Sequence, residues 1–570
     1  MSTESGYQSS DLSNQKFEYD LVVGTTAEAI NATLKMYLCK NAPAPKEIWY
    51  GQAEAGGEVT PMDPISGVDP FAIPSDGTVP QALLDSDFVF AIKAGFGLPS
   101  GVSPLDIPDI LILGTDSQKV NYNMFFNTFQ ICTLDWGRKG TYAWNNYQQP
   151  SGSPYIFNYQ VDMNFDASDP NDQFSGLPPA VQQELKNYNT NTMFSVQQLY
   201  LDLNNAGLQS MPKIEGVPST SKVYVVLQSD FIDTYWSDIA KAGQFVLGYA
   251  VHTNSQPTSH ASLQPTSLNF MTVPHYDANG AITTDTKLYT LNYLMDTNNR
   301  KLTVGAPFTW NWVESDQVNS YHGAMSVRRE VFANYLMSAI APYLSYIAVT
   351  PSTYIHIGNA GFSWSARSSL GQTANQAFSY DADGGAKIAT YSFSANAHDS
   401  SKSGLISGHY DLGATASASI SVSGNEITID LAANLTIDFS NGDLFGVGDV
   451  KGRVGGYSNT AIFEVAVDAA GKVTVSDKAG YPKPKIIGAD LSEGAFTGID
   501  GVDNLTGDLK NIYSNMTSFM NNFAPNVEAY LNSTGGKWVF PGGQTFLFKD
   551  AMFSDYQDFI THITYADPNF

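Results

Sequence analysis

The sequence predicts an α+β fold dominated by β-structure, with long, strongly curved antiparallel sheets wrapped around a few long apolar helices. Three observations predict it. Apolar and polar residues alternate over stretches of ~13 residues, which is the pattern of strands with one buried and one wet face. Other segments carry apolar residues at helical spacing. Only 15% of residues are charged, against about 25% in average proteins, so Ser, Thr, Asn and Gly must supply polar surface, as they do on exposed sheet faces.

The length of the chain predicts more than one core. Its 570 residues exceed the roughly 250–300 residues at which single cores stop growing. We expect a disordered N-terminal tail at 1–16, followed by α+β segments at 17–250 and 251–570. Gly-, Pro- and Asp-rich stretches predict long loops at 51–80 and 166–180.

The charge of the chain argues against nucleic-acid binding. Its 29 basic and 55 acidic residues give a formal net charge of −26, which repels other polyanions. Cys39 and Cys132 are the only cysteines. We expect two free thiols, with a single bridge as the open alternative, and no disulfide framework.

The N-terminal residues and the hydropathy of the sequence predict where the protein is made. The first twenty residues lack the apolar region of a signal peptide. No run approaches the ~18 consecutive apolar residues of a transmembrane helix. We therefore expect a soluble product made in the cytoplasm, whose release would need a non-classical route.

Strand–helix units recur along the chain. A strand at 17–23 is expected to enter a helix at a capping box formed by Thr25 and Glu28. Alternation at 155–165, 199–203 and 289–295 predicts further strands.

Two more such units are expected in the middle of the chain. Val223, Val225 and Leu227 are interpreted as a strand that leads to a helix capped by Ser229. Ser326 is expected to cap a helix that is stopped or kinked around Pro342.

The clearest elements lie in the last third. Residues 410–439 alternate on both sides of a Ser-Gly-Asn turn and predict a long hairpin. Its arms are more than twice the usual strand length of about five or six residues. A strongly amphipathic helix is predicted at 506–531, with apolar residues at i, i+3, i+4 and i+7.

A search for catalytic and metal-binding spacings finds none. The eight histidines include no pair at helical metal-ligand spacing, although His398 and His409 could approach each other across strands. The stretch 381–385 is interpreted as an acidic turn rather than a calcium loop. The sequence therefore predicts no enzyme, no metal site and no cofactor.

Three segments resemble the tubular lipid-binding (TULIP) superfamily, and within it the accessory proteins encoded in clostridial neurotoxin gene clusters. They are FEYDLVVGTTAEAINATLKMYL, SVRREVFANYLMSAIAPYL and KWVFPGGQTFLFKD. The resemblance implies non-enzymatic binding of a lipid or another apolar molecule in a tubular cavity. The loops at 51–80 and 166–180 have no counterpart in the family that we can match.

Helix phase selects residues that could line such a cavity. They are Leu509, Ile512, Tyr513, Met516, Phe519 and Met520. The same pattern also fits a helix that fills a dry core. Two other functions stay open at this point: a pore-forming or membrane-acting toxin component that uses the 410–439 hairpin, and a structural or adhesive protein that binds a protein or glycan partner.

Overall fold

The computed structural model describes most of the chain. The described residues are 6–17, 19–40, 44–54, 57–115, 118–168, 194–229, 231, 235, 246–253, 266–297, 302, 305–359, 363–383, 385–442, 447–480, 485–492, 505, 507–512, 514, 525, 528, 538–540 and 544–565.

Strands account for most of the regular structure. The first half contains β1 (Leu21–Thr26), β2 (Lys46–Gly51), β3 (Thr60–Met62), β4 (Phe88–Phe96), β5 (Leu111–Leu113), β6 (Lys119–Trp136), β7 (Tyr142–Gln148), β8 (Ile156–Ser168), β9 (Phe194–Ser210), β10 (Val246–Thr253), β11 (Ser267–Val273), β12 (Thr290–Asp296) and β13 (Gly323–Val327). Then come β14 (Val349–Ile357), β15 (Trp364–Gln372), β16 (Ser379–Tyr380), β17 (Lys387–Ser403), β18 (Ile406–Ser423), β19 (Glu426–Gly442), β20 (Val447–Val467), β21 (Val473–Asp477), β22 (Lys485–Ile487) and β23 (Asp490–Leu491). The last four are β24 (Trp538–Phe540), β25 (Gln544–Phe548), β26 (Met552–Phe553) and β27 (Phe559–Tyr565).

A large antiparallel sheet joins the two ends of the chain. Its hydrogen-bonded path is β11–β12–β1–β13–β27–β25–β24–β10–β9–β8–β6–β4–β2–β3. The strands β5 and β7 also pair with β6, and β26 pairs with β27. Because β1 lies between β12 and β13, this sheet contains strands from both of the segments expected at 17–250 and 251–570.

The second sheet contains the predicted hairpin. Its order is β16–β17–β18–β19–β20–β21, and β22 and β23 pair with β20 on the same edge as β21, opposite β19. The hairpin is confirmed as β18 and β19, with Tyr410 opposite Phe439 and a turn at Gly424, whose φ of 60° suits glycine. Its apolar face is buried, while the alternate residues face outward. A two-stranded sheet of β14 and β15 packs near β17 and β18.

Helices are fewer. They are α1 (Ala27–Lys40), α2 (Gln81–Leu84), α3 (Lys222–Ser229) and α4 (Arg329–Ile347). Residues 505, 507–512, 514, 525 and 528 are also helical, and all of these except 505 fall within the helix predicted at 506–531. Among the described helices, none combines the length and apolar character that a membrane span requires. The wrapping of sheets around long helices stays a prediction.

The predicted strand at 223–227 is wrong, because this segment is the helix α3. Val223, Val226 and Leu227 are buried, whereas Val225 is 59% exposed. That burial follows the i, i+3, i+4 spacing of a helix rather than strand alternation. A short apolar run rich in valine does not distinguish the two by itself.

The expected start of α4 is also wrong. Ser326 lies inside β13, and the cap comes from a residue far away in sequence, because the Arg329 amide donates to the Asp558 carboxylate (3.0 Å). The helix then continues through Pro342 to Ile347 instead of stopping there. The Ser345 hydroxyl donates to the Pro342 carbonyl (2.8 Å) in this last part of the helix.

The cap of α1 is displaced by one residue from the prediction. The Ala29 amide donates to the Thr26 hydroxyl (3.3 Å), so Thr26 rather than Thr25 serves as the N-cap. The strand β1 begins at Leu21 and ends at Thr26, whereas the expected strand ran from 17 to 23.

Part of the expected N-terminal tail is ordered. Tyr7–Ser9 forms a 3₁₀ turn, and Leu12 is fully buried. The Ser10 hydroxyl (2.9 Å) and the Leu12 amide (2.7 Å) both donate to Asp558. Residues 6–16 are therefore held on the body by a carboxylate near the other end of the chain.

Three apolar clusters form the core. The main cluster runs from the large sheet through α4 into the second sheet. A second cluster contains Phe308, Trp310 and Trp312 together with Leu12. The third lies around Trp49, Phe88 and Trp144 and includes Phe71 and Val79 from the loop expected at 51–80. The loop at 51–80 is thus anchored on the core, and it contains a short strand and a 3₁₀ turn. In the loop expected at 166–180, residues 166–168 belong to β8, and the rest lies outside the described residues.

Candidate functional site

The structure places two of the six predicted cavity residues. Leu509 is 2% exposed and Ile512 packs partly buried against the same main cluster. The Leu509 Cδ1 lies 3.1 Å from the position that a Cβ on Gly455 would occupy, so this helix packs closely on β20. Tyr513, Met516, Phe519 and Met520 lie outside the described residues.

A cleft of about 590 Å³ lies between α3 and the neighbouring ends of the large sheet. We call it the α3 cleft. Its lining comes from five separate segments of the chain: Gln52, Val89, Phe90, Thr133, Leu134, Asp135, Trp136, Tyr147, Val217, Pro218, Thr220, Ser221, Lys222 and Val223.

The apolar part of the α3 cleft is continuous with the protein core. Phe90 is fully buried, and Val223 and Val217 are 3% and 7% exposed. All three belong to the main apolar cluster. Leu134, which is 2% exposed, belongs instead to the third cluster. The cleft therefore lies at a boundary between two cores, and buried apolar side chains form its floor.

Polar groups of β6 and β7 occupy the sheet side of the cleft. The Thr133 hydroxyl donates to the Asp135 carboxylate (3.2 Å), which also accepts from the Asn145 amide (3.2 Å). Burial, and then the charge of Asp135, raise the pKa of Tyr147, so its hydroxyl stays protonated and able to donate. These groups offer donors and acceptors beside the apolar floor.

The other side of the cleft is formed by the entry into α3. The Tyr224 amide donates to the Ser221 hydroxyl (3.4 Å) at the start of this helix. The Lys222 ammonium donates to the side-chain oxygen of Gln52, which follows β2. A cation and hydroxyl groups thus lie close to Val223 and the apolar floor.

Gly216 lets the turn before α3 approach the sheet. Its φ is 84°, a conformation that favours glycine. A Cβ at this position would lie 2.6 Å from the Tyr147 ring. The close packing of Tyr147 on this turn fixes the width of the cleft at that point.

A second concave region lies on the outward face of the second sheet. A depression of about 600 Å³ is lined by side chains of β17 to β20, among them His398, Asp411, Asp438, Lys451 and Arg453. A smaller one of about 350 Å³ lies further along the same strands. We call the two together the outer trough.

Two histidines of the second sheet lie beside carboxylates. His398 contacts Asp411, and His409 lies 3.4 Å from Asp438, both across neighbouring strands. Within the described ranges, no group of three or more His, Cys, Asp or Glu residues is placed to hold a metal ion. Cys132 is a free, buried thiol whose pKa burial raises to about 12.

Sequence reasoning missed the α3 cleft. Its residues are scattered from 52 to 223, so no local motif reports it, and one of its walls was interpreted as a strand. The helical spacing of Val223, Val226 and Leu227 was the available signal, because it places one apolar face of α3 against the core.

Solved structures that resemble this chain include the following two proteins. P47 of Clostridium botulinum E1 matches with a TM-score of 0.44 and 11% sequence identity, covering 95% of this chain and 98% of that protein. A lipopolysaccharide binding protein matches with a TM-score of 0.29 and 11% identity, covering 96% and 100%. No protein-family model and no curated protein matches the sequence.

Proposed function

We propose that this protein binds a lipid or another apolar molecule without converting it chemically, and that the α3 cleft receives the apolar part of that molecule. The single observation that carries the proposal is the amphipathic lining of the cleft. Its floor belongs to the protein core, and its walls carry hydroxyl, amide and charged groups.

The dimensions and chemistry of the cleft suit such a ligand. Small-molecule pockets are typically about 300–1,000 Å³, mainly apolar, with a few placed polar groups. At about 590 Å³ the α3 cleft lies in this range. Phe90, Val217 and Val223 are already buried, so the gain would come from the acyl chain's own apolar surface, which leaves water with a free energy of about 25 cal/mol per Å².

The resemblance of three sequence segments to the TULIP superfamily supports the same class of ligand. It also supports the finer proposal that the protein is an accessory protein of a toxin cluster and that a tubular cavity continues inward. In that case Leu509 and Ile512, on the helix over β20, would line its deeper part.

The pore-forming alternative gains no support from the hairpin geometry. Both outer edges of the β18–β19 hairpin are hydrogen-bonded, β18 to β17 and β19 to β20. Its apolar face lies in the main core cluster. Insertion into a membrane would require all of these contacts to break.

Titration of the full-length chain with cis-parinaric acid, whose fluorescence rises in apolar surroundings, tests the proposal. We expect saturable binding, because the chain of this fatty acid can enter the α3 cleft. The substitution Thr220→Trp adds a bulky ring to an exposed position of the cleft lining and should weaken binding at least tenfold.

Ser219→Trp is the matched control. Ser219 is the exposed neighbour of Thr220 and does not line the cleft. Equal binding by the two variants, or no binding by the unmodified protein, would refute the cleft as the ligand site.

A further inference from the structure

The outward face of the β18–β19 hairpin is made entirely of short or polar side chains. On β18 these residues are His409, Asp411, Gly413, Thr415, Ser417, Ser419 and Ser421, and on β19 they are Thr428, Asp430, Ala432, Asn434, Thr436, Asp438 and Ser440. No large apolar side chain occurs among them. The face is therefore dense in hydrogen-bonding groups that lie close to the backbone.

The larger depression of the outer trough is organised by strand register. His398, Asp411, Asp438 and Lys451 lie opposite one another on β17, β18, β19 and β20. The Lys451 ammonium donates to Asp438 (2.6 Å), and this hydrogen bond lowers the pKa of the Asp438 carboxyl. The row therefore pairs its charged groups across four neighbouring strands.

Gly413 forms the floor of this depression. A Cβ here would lie 2.9 Å from the Thr436 hydroxyl and 3.1 Å from the Asn396 side-chain oxygen. The Thr436 hydroxyl donates to the Gly413 carbonyl (3.1 Å). The missing side chain thus leaves the polar groups of two neighbouring strands accessible from above.

The charges that line the trough are balanced. The larger depression has Asp411 and Asp438 against Lys451 and Arg453. The smaller depression has Asp430 against Lys387. In a chain with a net charge of −26, such balance disfavours both polyanions and polycations as occupants. The Arg453 guanidinium lines the larger depression and lies 3.6 Å from the Asp490 carboxylate.

The two depressions lie along the same strands. The larger one includes Asp411 and Gly413 of β18, and the smaller one includes Ser417 and Ser419. Six residues of strand separate Asp411 from Ser417, which corresponds to ~20 Å. An occupant of both depressions is therefore extended and lies parallel to the strands.

From these observations we infer that the outer trough binds a neutral oligosaccharide chain. Many hydroxyl groups, no net charge and an extended shape match the polar lining, the balanced charge and the spacing of the depressions. A peptide would need pockets for its apolar side chains, and the outward face of the hairpin offers none. This site is separate from the α3 cleft, so its test is independent of the proposed function.

Calorimetric titration of the full-length protein tests the inference. The probes are maltohexaose, cellohexaose, mannohexaose and chitohexaose, with a heparin-derived hexasaccharide as the polyanionic comparison. We expect at least one neutral hexasaccharide to bind with a Kd below about 1 mM, and no binding of the heparin fragment. Gly413→Val, which fills the floor, and Arg453→Met, which removes a cation of the lining, should each weaken binding at least tenfold.

Ser423→Ala is the matched control, because Ser423 is exposed at the turn end of the same strand and lies beyond both depressions. It should bind as the unmodified protein does. Arg453→Met keeps the test informative if Gly413→Val fails to fold, since Arg453 is partly exposed. No binding of any neutral probe, stronger binding of the heparin fragment, or full binding by Arg453→Met would overturn the inference.

Discussion

Removal of the Asp558 carboxylate is expected to destabilise the junction of the two chain ends. Asp558 is fully buried and accepts hydrogen bonds from the Ser10 hydroxyl, the Leu12 amide and the Arg329 amide. In Asp558→Ala the two backbone amides lose their acceptor inside the protein. Each buried donor left unsatisfied costs about 1–3 kcal/mol, so we expect a loss of about 4 kcal/mol in the free energy of unfolding.

Ser10 limits that loss, because its hydroxyl lies 3.2 Å from the Ser326 hydroxyl and can pair with it instead. The measurement is urea unfolding at pH 6 followed by tryptophan fluorescence. Trp310 and Trp312 lie in the same cluster as Leu12 and report on this region.

The matched control is Asp555→Ala in the same turn. Asp555 is exposed, and its removal should change the free energy of unfolding by less than about 0.5 kcal/mol. If Asp558→Ala also changed it by less than about 1 kcal/mol, the buried carboxylate would not hold the N-terminal segment and the start of α4.

Three further outcomes follow from particular contacts. Burial raises the pKa of the Asp558 carboxyl to about 7 from its ordinary 3.8, so the folded state binds this proton more tightly than the unfolded state does. The stability that this group contributes is therefore greatest below pH ~4 and falls as the pH rises to about 7. Urea unfolding across this pH range should show a fall of no more than about 4 kcal/mol in the free energy of unfolding, and Asp558→Asn should abolish that fall. Gly455→Val should destabilise the protein by about 1–3 kcal/mol in thermal or urea unfolding, because the new side chain meets Leu509, whereas Gly488→Val meets open space. In a Cys39→Ser variant, the Cys132 thiol, with its pKa raised to about 12, should react with a disulfide reagent at pH 8 only after denaturant is added, and rapid reaction in the native protein would contradict its burial.

Local patterns predicted the sheets well. The β18–β19 hairpin follows from alternation over both arms and a glycine turn, and neither feature depends on distant parts of the chain. The start of α4 could not be predicted in the same way. Its cap is Asp558, which lies more than two hundred residues away in the sequence. Local spacing therefore indicated the nearby Ser326 as the cap.

The candidate sites were harder to predict for a related reason. The α3 cleft combines the ends of four strands with a turn and a helix. Its residues become neighbours only when β4 and β7 have paired with β6. The outer trough was visible as a polar face, but its depth depends on Gly413 and on the register of four strands. Sequence periodicity predicts which face of a helix or strand is buried. It does not predict the clefts that form between such elements.

Native mass spectrometry with lipid extraction, on protein purified without detergent, tests the central claim most directly. We expect an apolar adduct at one molecule per chain, present in the unmodified protein and in Ser219→Trp and lost in Thr220→Trp. An apo mass for the unmodified protein, even after incubation with fatty acids and phospholipids, would contradict lipid binding in the α3 cleft.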